Sequence, residues 1–342
     1  MHLPQPATDA IDALLELTVV GSFSRIGPAV RGRLEGWTDP PPDALAGRTA
    51  VVTGPTSGLG HATAESLARL GARIVLVGRD RAKLEAAASG LAVAPGREPH
   101  RVVVTDLGSL SEAADAADHI RSAEERIDLV IDNAGAIFPE RRVGPDGIEA
   151  TFALMVVAPF VLVAGLRDRL AASHGRVIAV TSGGQYTQGL DLDDLGLERV
   201  PWSGARAYAR AKRAQVALIR EWDRRIGPEV SFVAMHPGWA DTPGLEASLP
   251  GFRRVMRPIL RTPAEGIDTT IWLAGLPASV DGAIGGRLFL DRRPRPFDRV
   301  PATRLTLAER RELWGRVVTM AGIEDPAPDR EPTPPQRTRR AS

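Results

Sequence analysis

Short apolar, β-branched runs recur along the chain, each followed by a stretch in which apolar residues return every three or four positions. The runs are Thr49–Thr53, Arg73–Val77, Arg101–Thr105, Leu129–Asp132, Arg176–Thr181 and Ser231–Met235, with a last one near Arg287–Leu290. Helical patterns fall between them, at about 58–71, 80–91, 109–124, 146–172, 204–226 and 263–276. Runs with so little polar alternation suit strands buried on both faces, and the intervening helices supply the cover. The pattern predicts an α/β fold, a doubly wound parallel sheet of about seven strands with helices on both faces. It occupies residues 47–291 with no internal boundary and no repeat.

Outside that block the pattern changes. Asp9 is placed to cap a helix carrying Ile11, Leu14, Leu15 and Leu17, and Phe23, Ile26, Val30 and Leu34 continue the stripe. Such a stripe suits packing on the domain or on a partner subunit better than peripheral contact with a membrane. Pro40-Pro41-Pro42 closes this extension, residues 1–46, as a stiff linker. Residues 292–323 form a C-terminal extension in which 305–321 can add a helix, and the Pro- and Arg-rich tail 324–342 is expected to be disordered. The longest apolar run, Phe152 to Leu166, falls short of the ~20 residues that span a bilayer, so a helix buried in a core or interface is expected.

Composition mainly excludes. The 43 basic and 42 acidic residues leave a net charge of +1, so no global field draws nucleic acid or acidic membranes. With no cysteine there is neither a disulfide framework nor a thiol nucleophile. The six histidines show no metal-ligand spacing, and no metal site is expected. The start, MHLPQPATDAID, lacks a basic and an apolar signal region, which points to a cytoplasmic chain.

The chemistry concentrates at Tyr208-Ala209-Arg210-Ala211-Lys212. The chain has two tyrosines and only two lysines, Lys83 and Lys212, yet one of each stands four positions apart. On a helix these positions share a face, which sets an ammonium beside a phenol. A free phenol, with a pKa near ~10, is a poor acid or base at neutral pH; a neighbouring cation favours the phenolate and makes proton exchange with an alcohol or carbonyl oxygen feasible.

Other motifs line up around that pair. Thr53-Gly54-Pro55-Thr56-Ser57-Gly58-Leu59-Gly60 leaves the first strand and opens a helix, the setting in which glycines let a backbone approach a pyrophosphate. In that setting the sheet is of Rossmann type. The second strand ends Val77-Gly78-Arg79-Asp80, where an arginine suits a 2′-phosphate and so favours NADP(H) over NAD(H); Asp80 suits the cap of the next helix. Asp106-Leu107 follows the third strand and can bring a carboxylate near an adenine. Asn133, the only asparagine, stands with Ala134 and Gly135 at the end of the fourth strand, as though a ligand came close to the backbone there. Ser182 closes the fifth strand at the carboxyl edge of the sheet, where ligands of such folds bind. His236-Pro237-Gly238-Trp239-Ala240-Asp241-Thr242 leaves the sixth, and its backbone can flank a nicotinamide amide.

Together these residues resemble the short-chain dehydrogenase/reductase family in its TGxxxGxG branch, over about 47–291. HPGWADTPG and LDRRP are similar to the group around dehydrogenase/reductase member 12. The resemblance implies an NADP(H)-dependent oxidoreductase that interconverts an alcohol and a carbonyl. It makes Tyr208 the acid/base and Ser182 the holder of the substrate oxygen, while Lys212 orients the nicotinamide ribose and lowers the tyrosine pKa. It assigns Gly54, Ser57, Gly58, Leu59, Gly60, Arg79, Asp106, Leu107, Asn133, Ala134, Gly135, Pro237, Gly238 and Thr242 to the cofactor, together with Tyr208 and Lys212. It also implies a homodimer through the apolar helix. Trp202, Trp239, Leu245, Phe252 and Met256 lie in segments that cover such sites, which suggests an apolar and bulky small-molecule substrate.

One position departs from the family pattern. Asp146-Gly147-Ile148-Glu149 and Phe160 match, but Met155 stands where the family carries an asparagine. In the family the long helix is interrupted there, and a freed carbonyl holds a water that links the lysine to solvent. Pro159 lies four residues on and has no N–H, so it can leave the carbonyl of residue 155 without its donor. The departure keeps open a cofactor-binding protein with little turnover. The shared Tyr-x-x-x-Lys keeps open a sugar-nucleotide epimerase, against which the glycine spacing argues.

Overall fold

A computed structural model describes residues 5–94, 96–227 and 229–329. Three helices come first: α1 (Gln5–Leu17), α2 (Val19–Phe23) and α3 (Ile26–Glu35). The repeating block follows as β1 (Thr49–Thr53), α4 (Gly58–Arg69), β2 (Arg73–Gly78), α5 (Arg81–Gly90), β3 (Arg101–Val104), α6 (Leu110–Ala123) and β4 (Leu129–Asp132). The long apolar helix comes next in three pieces: α7 (Ala150–Phe152), a π turn at Ala153–Val157, and α8 (Ala158–Ala172). Then come β5 (Arg176–Val180), α9 (Gly204–Ile226), β6 (Ser231–Met235), α10 (Pro243–Ser248), α11 (Pro250–Met256) and α12 (Pro263–Gly275). The chain closes with α13 (Asp281–Ile284), β7 (Leu288–Leu290), β8 (Arg293–Arg295) and α14 (Leu307–Ala321).

The sheet runs in the order β3-β2-β1-β4-β5-β6-β7-β8 and is parallel except for β8. Val51 is in register with Val75 on one side and Val130 on the other, so the strand order reverses between β1 and β4. That reversal opens a crevice at the carboxyl ends of these two strands. Successive side chains alternate between faces: Val51, Val75 and Val77 join the core beneath α6, α8 and α9, while Ala50, Val52, Ile74 and Leu76 join the one beneath α4, α5 and α12.

There are eight strands where the pattern predicted about seven. β8 is three residues long and carries Arg-Pro-Arg, a composition with no apolar signal. A two-residue turn, Asp291-Arg292, sets it against β7, with Leu290 paired to Arg293. Both turn residues have positive φ, 52° and 56°, which two-residue hairpins need and non-glycine residues seldom adopt. Buried partners hold the turn: Asp291 accepts from Arg31 and Arg261.

The N-terminal segment packs on this edge of its own domain. Arg31 is buried and pairs with Asp12 (2.6 Å) and Glu16 (2.8 Å) as well as Asp291, and Arg295 reaches Asp12 at 2.6 Å. Arg261 donates to the carbonyls of Phe23 (3.0 Å) and Ser22 (2.7 Å), joining the segment to the loop before α12.

At the other end, α14 lays Trp314 against Phe160 of α8 and Trp222 of α9, with ring centres 4.9 and 4.7 Å apart. The apolar face that suggested a subunit interface is thus covered from within the chain. The helix from Ala150 to Ala172 is long and apolar enough by length to cross a membrane, but it is mostly buried in the core. The expected disorder of the tail does not extend to residues 324–329. Ala327 is buried, Arg225 donates to its carbonyl at 2.6 Å, and Asp325 accepts from the Trp314 ring nitrogen at 3.0 Å. Those contacts come from distant residues, so composition does not register them. Residues 330–342 lie outside the described residues.

Candidate active site

The β1–β4 crevice gathers the glycine loop and Asn133. Gly54 and Gly58 take positive φ, 65° and 53°, turning the chain sharply off β1. Gly60 is required by contact: a Cβ there would sit 2.1 Å from the Gly54 carbonyl oxygen and 2.5 Å from Asn133 Nδ2. Asn133 fixes the loop, since its Nδ2 donates to the Thr53 carbonyl at 2.9 Å and its own N–H donates to Thr53 Oγ1 at 3.0 Å. Ala134 N–H shares that hydroxyl, at 2.9 Å. Asn133 is therefore a structural clamp between β1 and β4. Leu59, at the start of α4, is partly buried, and its side chain lies against Gly266 of α12.

The cradle remains open toward a ligand. Ser57 caps α4 by backbone geometry, but its exposed side chain accepts nothing from the helix, so the first amides keep their donors for an anion. A Cβ on Gly58 would lie 3.3 Å from Thr242, so the loop after β6 forms the facing wall. Thr242 itself caps α10, accepting from the Leu245 N–H at 3.2 Å. Gly238 turns this wall at φ 69°, and Pro237 is buried behind it.

At the ends of β2 and β3 the candidates divide. Asp80 is committed to α5: it accepts from Lys83 N–H at 3.1 Å, and this contact holds its carboxyl below the usual range. Arg79 is exposed and has no partner among the described residues. Asp106 is exposed and accepts from Gly108 N–H at 2.8 Å, whereas Leu107 sits in the core and can offer a ligand only its main chain. Gly135 is exposed and lies against Met155, whose sulfur would be 3.5 Å from a Cβ at 135.

The acid/base candidates come together at the ends of β5 and α9. Ser203 caps α9, and a spacing of four residues, about one helical turn, then sets Tyr208 and Lys212 on one face, with Lys212 Nζ 5.8 Å from the centre of the Tyr208 ring. Burial pushes the Tyr208 phenol upward, and the Ser182 hydroxyl beside it pulls the other way. The pull downward comes from Ser182 alone, and the lowering by lysine that the resemblance implied has no part in it. The reason is where the ammonium goes: it donates to the Val180 carbonyl at 2.7 Å and to Gln215 Oε1 at 3.3 Å. Burial brings Lys212 down to about 8, against the pull of Asp132. The other tyrosine is structural. Tyr186 is buried and donates to the Pro296 carbonyl at 2.9 Å.

The interruption expected in the long helix is present and takes the form of a π turn, in which Ala158 N–H reaches back five residues to Ala153. Proline at 159 has no N–H, and its ring crowds the carbonyl four residues back; widening the turn relieves that clash. Met155 lies inside the widened turn, fully buried.

Gln215 and Asp132 are the partners that the sequence reading passed over. Gln215 is three residues beyond Lys212, on the same helical face, and Asp132 immediately precedes Asn133; spacing alone gives no sign that they meet.

With this geometry in place, likeness to known proteins becomes decisive. The short chain dehydrogenase family model matches residues 48–250. The chain belongs to the short-chain dehydrogenase family. It is an oxidoreductase of that family, with an NAD(P)-binding fold and small-molecule substrates. Human dehydrogenase/reductase SDR family member 12 is 37% identical over 73% of this chain and 78% of its own length. Human retinol dehydrogenase 14 is 33% identical over 87% of this chain and 92% of its own. Among solved structures, a Shigella flexneri protein described as a short chain dehydrogenase complexed with NADP superposes with a TM-score of 0.60 at 25% identity, covering 74% of this chain and 100% of that one.

Proposed function

We propose that this dehydrogenase is NADP(H)-dependent and interconverts an alcohol and a carbonyl on a bulky apolar substrate, with Tyr208 as acid/base, Ser182 as holder of the substrate oxygen and Lys212 at the nicotinamide ribose. The observation that carries the reading is the convergence of Ser182, Tyr208 and Lys212 beside the crevice. NADP(H) would supply or accept the hydride there. The Ser57 hydroxyl and the first amides of α4 would hold its pyrophosphate, and Arg79 its 2′-phosphate. Asp80 does not compete, being tied to α5.

Tyr208 would hand a proton to the carbonyl oxygen in reduction and take it back in oxidation. Ser182 accepts from Gly184 N–H at 3.1 Å, which leaves its own proton to donate to that oxygen. The apolar character follows from Trp239, which meets Phe23 and Phe252 edge to face with ring centres 5.9 and 5.2 Å away. The printed name of the retinol dehydrogenase relative fits a substrate of this kind.

The test is NADPH oxidation with a panel of aliphatic and aromatic aldehydes and ketones, retinal included, for wild type and Tyr208→Phe. The expected result is turnover in the wild type that drops about 10²–10⁴-fold in Tyr208→Phe while NADPH binding persists. Turnover retained in Tyr208→Phe would overturn the assignment. Equal preference for NADH would overturn the cofactor reading.

A further inference from the structure

Lys212, whose ammonium lies 5.8 Å from the centre of the Tyr208 ring, begins a polar chain that leads away from it. Its ammonium donates to Gln215 Oε1, and Gln215 Nε2 donates to Asp132 Oδ2 through a short hydrogen bond. All three side chains are buried. Only one orientation of the amide serves both neighbours, because turning it over would set its NH₂ against the ammonium and its oxygen against the carboxylate. The link is therefore directional.

Asp132 Oδ1 has no protein partner and is buried. It borders a cavity of about 30 Å³ whose walls include Gln215, Met155, Pro159 and Trp222. That volume accommodates about one or two waters, and an uncompensated buried carboxylate oxygen costs enough to draw one in. β5, β6, the π turn and α8 give this cavity only apolar side chains, so apart from the Trp222 indole and main chain its polar groups are Asp132 and Gln215. Position 155, where the resemblance expects an asparagine, is one of those apolar walls.

We propose that Gln215 and Asp132 are positioning residues of the reaction, a buried amide–carboxylate pair that holds the Lys212 ammonium in place of the side chain missing at 155. The inference rests on the assignment of Tyr208 and Lys212 above. Asp132 and Lys212 are the charged groups that act on one another here, and no other charged side chain perturbs either. The carboxylate favours the charged lysine, while burial disfavours it. Gln215 keeps the two at fixed separation without letting the proton pass directly between them.

Having only two lysines makes the experiment direct. In the full chain labelled with carbon-13 lysine, the ε-methylene signal of Lys212 is identified by its survival in Lys83→Arg and titrated in the absence of substrate. The wild-type midpoint is expected near 8. In Asp132→Asn it should move down by about one pH unit or more, the effect of losing one opposite charge. Gln215→Met should also lower it, Gln215→Glu should raise it, and Gln215→Glu combined with Asp132→Asn should recover the wild-type value. The alkaline limb of kcat in NADP-dependent alcohol oxidation should move in the same sense.

A midpoint unmoved in Asp132→Asn and in Gln215→Met, with both folded by circular dichroism, overturns the proposal. If Tyr208→Phe still turns over while the midpoint moves as described, it is the catalytic assignment that fails. If Tyr208→Phe is inactive and the midpoint does not move, only the positioning role fails.

Discussion

The crevice at the β1–β4 reversal and the ion cluster under the N-terminal segment are both polar, yet they treat their polar groups in opposite ways. In the cluster each charged group meets an opposite charge: Arg31, Arg261 and Arg295 meet Asp12, Glu16 and Asp291 at hydrogen-bonding distances. In the crevice, donors are left uncommitted at Ser57, at the first amides of α4 and at Arg79. The first arrangement locks a segment, and the second waits for a ligand. Two aspartates show the same contrast. Burial opposes the charge of Asp12, but Arg295 and Arg31 outweigh it and hold the group at about 2. Burial raises Asp132 to about 6, because Lys212 and Gln215 only partly offset it.

The cluster should break the more expensively. Arg31→Ala leaves Asp12 and Asp291 buried without their shared partner and should lower stability by about 3–5 kcal/mol, measured by urea unfolding. Loss of less than about 1 kcal/mol would mean that the cluster is solvated or redundant. In the crevice, Arg79→Ala should leave stability within ~0.5 kcal/mol and weaken NADPH binding by roughly ten- to a hundred-fold, with NADH binding little changed. Fluorescence titration with both cofactors checks it, and a parallel loss for NADH would place Arg79 elsewhere.

The smallest effect separates the two aspartates by sign. Asp12 has a lowered pKa, so its contribution is present above the unfolded value of 3.8 and is lost as pH falls toward about 2. Asp132 has a raised pKa, so its contribution is present below 3.8 and is lost as pH rises toward about 6. Thermal midpoints measured from pH 2 to pH 8 should therefore flatten below pH 4 in Asp12→Asn and between about pH 4 and pH 6 in Asp132→Asn. The same window in both variants would contradict the contrast.

Much of the site could be read from order alone. TGPTSGLG, the lone Asn133, Ser182 and the Tyr208–Lys212 spacing each sit on a strand end or helix start that apolar periodicity locates. The strand-end groups and the start of α4 then converge, because all parallel strands end on one edge. Other parts could not be read this way. Leu107 follows a strand like the other candidates, but its side chain faces the core. β8 carries no strand signature and exists because Asp291 is held in an unfavourable backbone conformation by Arg31, some 260 residues away in sequence. Phe23 lies in the N-terminal extension, yet packs against Gly183, next to Ser182.

The parallel sheet, the crevice at its reversal and the family follow from local periodicity and short motifs, and so were legible in the chain alone. What surrounds them came from long-range packing: α14 over the apolar helix, the N-terminal segment against the Ser182 end of β5, and the chain from Lys212 through Gln215 to Asp132. Those contacts join residues far apart in the chain, and their strength depends on burial, which no spacing rule records.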